Sequence, residues 1–186
     1  MCSRYKLHSK PFELKNRFNL KKEPIVHFKT EQYPSDQSLV IGFSGPKHSI
    51  WGLKVDWASD LIINARAETL TYKKTFAQLL MNRCLVPATC YYEWAKIRNG
   101  KKSKYCVKAS DQKTMAFAGL IDNMSNRLVI ITCASPTSIA HLHPRMPAIL
   151  DPSIENDWLD YRTGIKSALS FLRPYKKVEL IKQLAI

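Results

Sequence analysis

The chain has 186 residues, with 29 Lys plus Arg against 15 Asp plus Glu, a formal charge of +14. With 45% hydrophobic residues, 10% aromatic residues and only 6 Gly, the composition excludes a disordered tail, a collagen-like repeat and a small disulfide scaffold. No apolar run approaches the roughly eighteen residues that cross a bilayer, and the first twenty residues lack the apolar segment of a secretory signal, so a single cytoplasmic domain over 1–186, with no membrane partner, is expected.

In chain order, Ser9 is placed to cap a short helix with Pro11 in its first turn and Leu14 and Phe18 on one face. Strand-like runs follow at Ile25 to Phe28, Leu39 to Phe43 and Ile50 to Leu53. Thr71 opens a helix with Phe76, Leu79 and Leu80 on one side, and Arg83 to Val86 returns to strand. Asn99-Gly100 between Tyr91 to Ile97 and Tyr105 to Ala109 predicts a hairpin, because this dipeptide tolerates the positive backbone angles of a tight turn. Met115 to Leu120 and Leu128 to Cys133 predict a second one. Asp151-Pro152 starts a helix carrying Ile154, Trp158 and Tyr161. Strands dominate the middle and helices flank them without regular alternation, so the fold class is α+β.

The basic excess is regional. Residues 1–30 hold eight Lys or Arg against two acids, residues 96–108 hold six with none, and residues 162–186 hold six against Glu179. Acids gather at Asp151, Glu155, Asp157 and Asp160, which read as one helix face. Such a balance fits either a polyanion-binding surface or a well-solvated one, and does not name the polyanion. The five cysteines are an odd number without a Cys-x-x-Cys pair, which points to a reducing compartment and against a zinc ribbon.

Cys2 is the most informative residue. Removal of the initiator Met, favoured before a small side chain, would leave an amine of pKa about 7.7 to 8.0 beside a thiol of about 8.5. A 1,2-aminothiol can close on an aldehyde as a five-membered thiazolidine, or act as an N-terminal nucleophile on an amide; an incidental second residue is the plain alternative. Asn64-Ala65-Arg66-Ala67-Glu68-Thr69 puts an amide, a guanidinium and a carboxylate at a strand end, where Arg66 can hold phosphate or pair with Glu68. In Tyr91-Tyr92-Glu93-Trp94, alternation sends Glu93 to the face of Tyr91, where burial would raise its pKa and suit it to proton transfer; a surface glutamate is the other reading. His141 and His143 lack further ligands nearby, so no metal is expected, and His143 beside Arg145 suits a general acid with an anion-binding neighbour.

Met-Cys-x-Arg at the start, Trp51-Gly52-Leu53, Asn-Ala-Arg-Ala-Glu-Thr, Arg-Cys-x-x-Pro-Ala with Tyr-Glu-Trp, Ala118-Gly119-Leu120 and His-x-Arg-Met-Pro, in this order, resemble the SOS response-associated peptidase (SRAP) family from Cys2 to about Leu150. The resemblance implies a mainly antiparallel, barrel-like β core flanked by helices and a protein that crosslinks itself to abasic sites in single-stranded DNA. It implies Cys2 as nucleophile after Met1 removal, Asn64 orienting the terminus or the sugar, Glu93 shuttling protons and His143 acting on the sugar oxygen. Arg4, Trp51, Arg66 and Arg145 would line the DNA groove, with Trp51 stacking on a base. No cofactor is expected, and the expected state is a monomer, nucleoid-associated if bacterial, whose partners include replication or repair proteins. A non-covalent nucleic-acid-binding module and a peptidase acting in trans are the alternatives. Ser3 stands where the family commonly has glycine, Thr89-Cys90 stands where Asp-Gly is usual, and the C-terminus after Arg173 is short.

Overall fold

The structure is a computed structural model that describes residues 2–26, 31–96 and 102–182. Its strands are β1 (Tyr5–Lys6), β2 (Glu31–Gln32), β3 (Gln37–Gly42), β4 (Gly45–Trp51), β5 (Asn64–Arg66), β6 (Arg83–Ala88), β7 (Cys90–Lys96), β8 (Lys102–Ala109), β9 (Met115–Asp122), β10 (Arg127–Ala134), β11 (Arg145–Pro147) and β12 (Val178–Lys182). Among the described residues four short α-helices, α1 (Pro11–Arg17), α2 (Lys74–Ala77), α3 (Glu155–Leu159) and α4 (Ile165–Ser170), lie between them.

Two sheets carry the fold. One has the order β12-β8-β7-β1-β2, all antiparallel. In the other, β10 pairs with β4, β4 with β3, β3 with β6, β6 with β9, and β9 again with β10, so these five strands close into a ring. Closure removes sheet edges that would otherwise stay unpaired. The β10–β4 and β10–β5 contacts run parallel, while β11 extends β10 in antiparallel fashion. The expected α+β, barrel-like class is what the structure has.

Aromatic rings join the two sheets. Tyr5 and Tyr91 of the first sheet meet Trp51 and Phe117 of the second, with Tyr5 5.3 Å from Trp51 and 5.9 Å from Phe117, and Tyr91 6.2 Å from Phe117. All four are buried, and each ring removes a large apolar area from water. Because Cys2 precedes Tyr5 by three residues and Glu93 follows Tyr91 by two, this seam brings both toward one end of the core.

Close backbone approach fixes the ring at Gly119. A Cβ there would lie 2.9 Å from Cys84 Sγ, 3.2 Å from Val86 Cγ2 and 3.3 Å from the Val129 carbonyl oxygen. Gly119→Ala is therefore expected to destabilise the protein by about 1–3 kcal/mol, read as a lower midpoint in thermal unfolding followed by circular dichroism.

Several local expectations are corrected. Lys10, rather than Ser9, occupies the N-cap of α1; Ser9 Oγ instead shares a 2.7 Å hydrogen bond with Thr114 Oγ1, and Glu13 accepts from the Lys10 N–H at 2.8 Å. The helix expected from Thr71 shrinks to α2, because the chain tightens to i→i+3 bonds at Leu79, Leu80 and Asn82, which lets Phe76, Leu79 and Leu80 all bury. Ile25 is exposed and outside any strand, while residues 27–28 of that expected strand lie outside the described residues. Asn99-Gly100 also lies outside them, although β7 and β8 on either side pair antiparallel down to Lys96 and Lys102. Asp151 caps as expected, accepting from the Ser153 N–H, but the acids form no free helix face. Glu155 is buried against Arg17 at 2.6 and 2.9 Å, and Asp160 is held by Arg162. Tyr161 lies beyond the end of α3, exposed and edge-on to Phe43.

Candidate active site at the amino terminus

Cys2 is completely buried at the end of the segment that becomes β1. Its carbonyl oxygen accepts a 2.7 Å hydrogen bond from Asn64 Nδ2, and its Sγ lies 3.7 Å from the Arg4 carbonyl oxygen. Burial, and then the negative charge of Glu93, push the Cys2 thiol well above the ordinary range, so it rests as S–H.

Asn64 opens β5, whose register beside Ile130 of β10 fixes its height in the sheet. While Nδ2 is committed to Cys2, Oδ1 is buried without a hydrogen-bond partner among the described residues. An acceptor in that state is costly unless something else uses it, and a residue held by its carbonyl has its own N–H side within the same neighbourhood.

Glu93 is 6% exposed on the inward face of β7, the face of Tyr91, as alternation predicts. Burial raises its carboxyl to about 7, and the positive charge at the chain's amino terminus partly opposes the rise. A carboxyl near neutrality exchanges protons in both directions at working pH.

His143 precedes β11. Its Nδ1 sits 3.0 Å from both the N–H and the carbonyl oxygen of Arg145, which pins the ring in either tautomer. Burial holds the imidazole below its usual range, against the Arg145 backbone contact that raises it, and the charges of the amino terminus and Arg145 lower it further. Cys2, Glu93 and His143 thus all feel the charge that begins the chain. The described residues contain no cluster of three metal-ligating side chains.

The expected DNA-contacting residues divide. Arg66 is exposed at the end of β5. Arg4 is half-buried, its guanidinium carbon 4.3 Å from the Tyr33 ring centre and 5.0 Å from that of Trp94, with Glu31 at 3.7 Å. Arg145 is bound in two prongs to Glu68 at 2.7 and 2.9 Å and donates to the Thr132 carbonyl at 2.6 Å. Glu68 therefore pairs with Arg145 rather than with Arg66, because β11 lies beside β10 at Ala134, close to the turn after β5. Trp51 departs furthest from expectation: it is 0% exposed, donates from Nε1 to the Ile63 carbonyl at 2.9 Å and packs on Tyr5, so it offers no ring face to a base.

Sequence reasoning missed the cluster around Arg4. Glu31 accepts from Lys104 Nζ at 2.9 Å and from the Tyr33 hydroxyl at 3.1 Å, while Lys104 Nζ lies 3.8 Å from the Tyr92 ring centre. Alternation on β7 did signal that Tyr92 and Trp94 share the face opposite Glu93, but nothing in the sequence assigned Arg4 to it. The Thr89-Cys90 departure is accommodated without glycine, since Thr89 donates from both N–H and hydroxyl to the Lys6 carbonyl, at 2.7 and 3.0 Å. No positive φ occurs there among the described residues.

A closed β ring with a second sheet folded over it thus carries a buried Cys2, an asparagine on the Cys2 carbonyl and a glutamate raised to near neutrality. The family model for the SOS response associated peptidase (SRAP) matches residues 1–184, and the chain belongs to this family. Its relatives include the abasic site processing proteins YoqW of Bacillus subtilis, 32% identical over 94% of this chain and 88% of its own length, and YoaM of the same organism, 31% identical over 94% and 86%. The Xenopus tropicalis abasic site processing protein HMCES is 28% identical over 69% of this chain and 49% of its own length. Crystal structures of proteins from Bacteroides thetaiotaomicron (TM-score 0.82, 22% identity, 97% of this chain and 91% of that one) and Bordetella bronchiseptica (0.83, 19%, 99% and 100%) share the fold.

Proposed function

We propose that this protein captures abasic sites in single-stranded DNA by covalent attachment at Cys2, once Met1 has been hydrolysed away. The observation that carries the reading is the 2.7 Å bond from Asn64 to the Cys2 carbonyl, with the Glu93 charge acting on the thiol, because it anchors the residue whose amine and sulfur must both reach one carbon.

The order of steps follows from the protonation states. The freed Cys2 amine attacks the aldehyde carbon of the ring-opened sugar. Glu93 takes the proton the nitrogen loses and returns it to the oxygen that leaves as water, giving an imine. His143 acts on the sugar oxygen during ring opening. The sulfur of the thiol, kept as S–H by burial and Glu93, then bonds to the imine carbon as the C=N double bond becomes single, and the thiol proton passes to the nitrogen, closing the thiazolidine. An imine left open would permit β-elimination and strand cleavage; the second bond prevents it. Arg66 and Arg4 meet phosphates, with Arg145 shaping that edge through Glu68. The long-range attraction comes from the +14 charge. Repair or replication proteins remain the partners this role would serve, in the cytoplasm or on the nucleoid.

Two observations support Asn64 as a positioning residue: its bond to Cys2 and its buried, unpartnered Oδ1 among the described residues. Asn64→Ala is expected to slow adduct formation about tenfold, the worth of one well-made hydrogen bond, with Asn64→Asp intermediate. Single-turnover assays on a denaturing gel with an abasic single-stranded oligonucleotide measure this. The same gel tests the function itself: mature protein that yields no slow-migrating species with abasic DNA does not have it.

A further inference from the structure

Cys90 and Cys106 are absorbed by neither the core seam nor the site above. Cys106 is registered opposite Tyr92, and Cys90 lies two residues along β7 from Tyr92, so both thiols project from the same face of the sheet as diagonal neighbours. That face is turned away from Glu93. Both thiols line an open cavity of about 610 Å³ with Lys6, His8, Lys108 and Lys113, and each acts on the ionisation of the other. Lys6 is registered directly opposite Cys90. Of the five free cysteines, Cys106 alone is not fully buried.

We propose that Cys90 and Cys106 form an oxidisable dithiol, a modification site that a small hydroperoxide converts into a cross-strand disulfide between β7 and β8. The chemistry divides between the partners. The neighbouring Cys90 thiol, and then the charges of Lys6, Lys108 and Lys104, lower the Cys106 thiol against the opposing effect of burial, whereas Cys90 is raised. Cys106 is therefore the thiol that ionises first, reacting as its thiolate, and Cys90 the proton-bearing resolver. The Cys106 thiolate attacks the near oxygen of the peroxide, an S–O bond forms as the O–O bond breaks, and the departing oxygen takes a proton to leave as water or alcohol. Cys90 sulfur then attacks the sulfenic sulfur, the S–S bond forms, and the sulfenic oxygen leaves with the Cys90 proton as water. The two sulfurs lose two electrons and the O–O bond gains them. A dithiol reductant reverses the step. Cys2, fully buried and held as S–H, is spared.

The test is peptide mapping of the full-length protein after treatment with equimolar hydrogen peroxide, digested without reductant. The expected result is an intact chain two hydrogen atoms lighter, a peptide joining Cys90 to Cys106 that dithiothreitol separates, and Cys2 unchanged. In Cys90→Ser, dimedone should label Cys106. The proposal is overturned by absence of the joined peptide, by disulfides linking Cys106 of two chains instead, or by a Cys90→Ser protein whose Cys106 stays unlabelled.

Discussion

Cys2→Ala in the mature protein is expected to lose the stable DNA adduct altogether while keeping the fold. The side chain that is removed is small and sits at the end of a segment, so β1 and the Tyr5–Trp51 contact need no rearrangement. What disappears is the second bond to the aldehyde carbon. The amine remains, so a transient imine can still form, and strand cleavage by β-elimination becomes possible where the thiazolidine would have prevented it. Cys2→Ser should behave in the same direction, since its oxygen closes a less durable ring. A denaturing gel with abasic single-stranded DNA, run with and without borohydride, separates these outcomes: an adduct trapped only by borohydride is the expected signature of either variant.

Glu93→Gln is expected to slow capture about 100-fold, within the range that general acid–base catalysis supplies, and to remove the rate's dependence on a group of pKa about 7. The same substitution should change stability with a definite sign. Glu93 has its usual value of 4.5 in the unfolded chain and about 7 in the folded one, because burial penalises the charge. Below pH 4.5 both states carry the proton and the group is neutral in its effect. Between pH 4.5 and about 7 the unfolded chain releases the proton first, so native stability falls, and above about 7 the loss is complete. Its size is on the order of 3 kcal/mol. Glu93→Gln should therefore be more stable than the parent at pH 8 and nearly equal to it at pH 4, as urea unfolding at the two values would read. An equal difference at both would mean that Glu93 is not the desolvated carboxyl.

Much of the fold and part of the site were legible in the sequence, for identifiable reasons. The β7–β8 and β9–β10 pairings follow the strand runs read from the sequence, a pattern that acts over a few residues. Closure of the ring through the β10–β4 contact was not legible, because a parallel contact of two residue pairs between strands far apart in sequence leaves no local pattern. Glu93 was placed on the right face by alternation alone, and its neighbours did the burying. Trp51 shows the opposite limit: a tryptophan before Gly52-Leu53 suits a stacking surface or a core equally well, and only the packing of Tyr5 against it decides for the core. The pairing of Arg145 with Glu68 depends on β11 lying next to β10, which sequence proximity, offering only Arg66 as a partner, does not reveal. The charge of +14 kept its meaning as long-range attraction, yet some of those cations, Arg17 and Arg83 among them, are spent on internal contacts.

Covalent capture at the mature amino terminus is most directly tested by intact-mass analysis of the adduct, followed by peptide mapping, after incubation with an abasic oligonucleotide and no reductant. The expected mass is that of the chain without Met1 plus the oligonucleotide less one water, with the modification on the Cys2 peptide and both its amine and thiol unreactive. An adduct on a chain that retains Met1, or on an internal lysine with Cys2 still free to alkylate, would contradict the account.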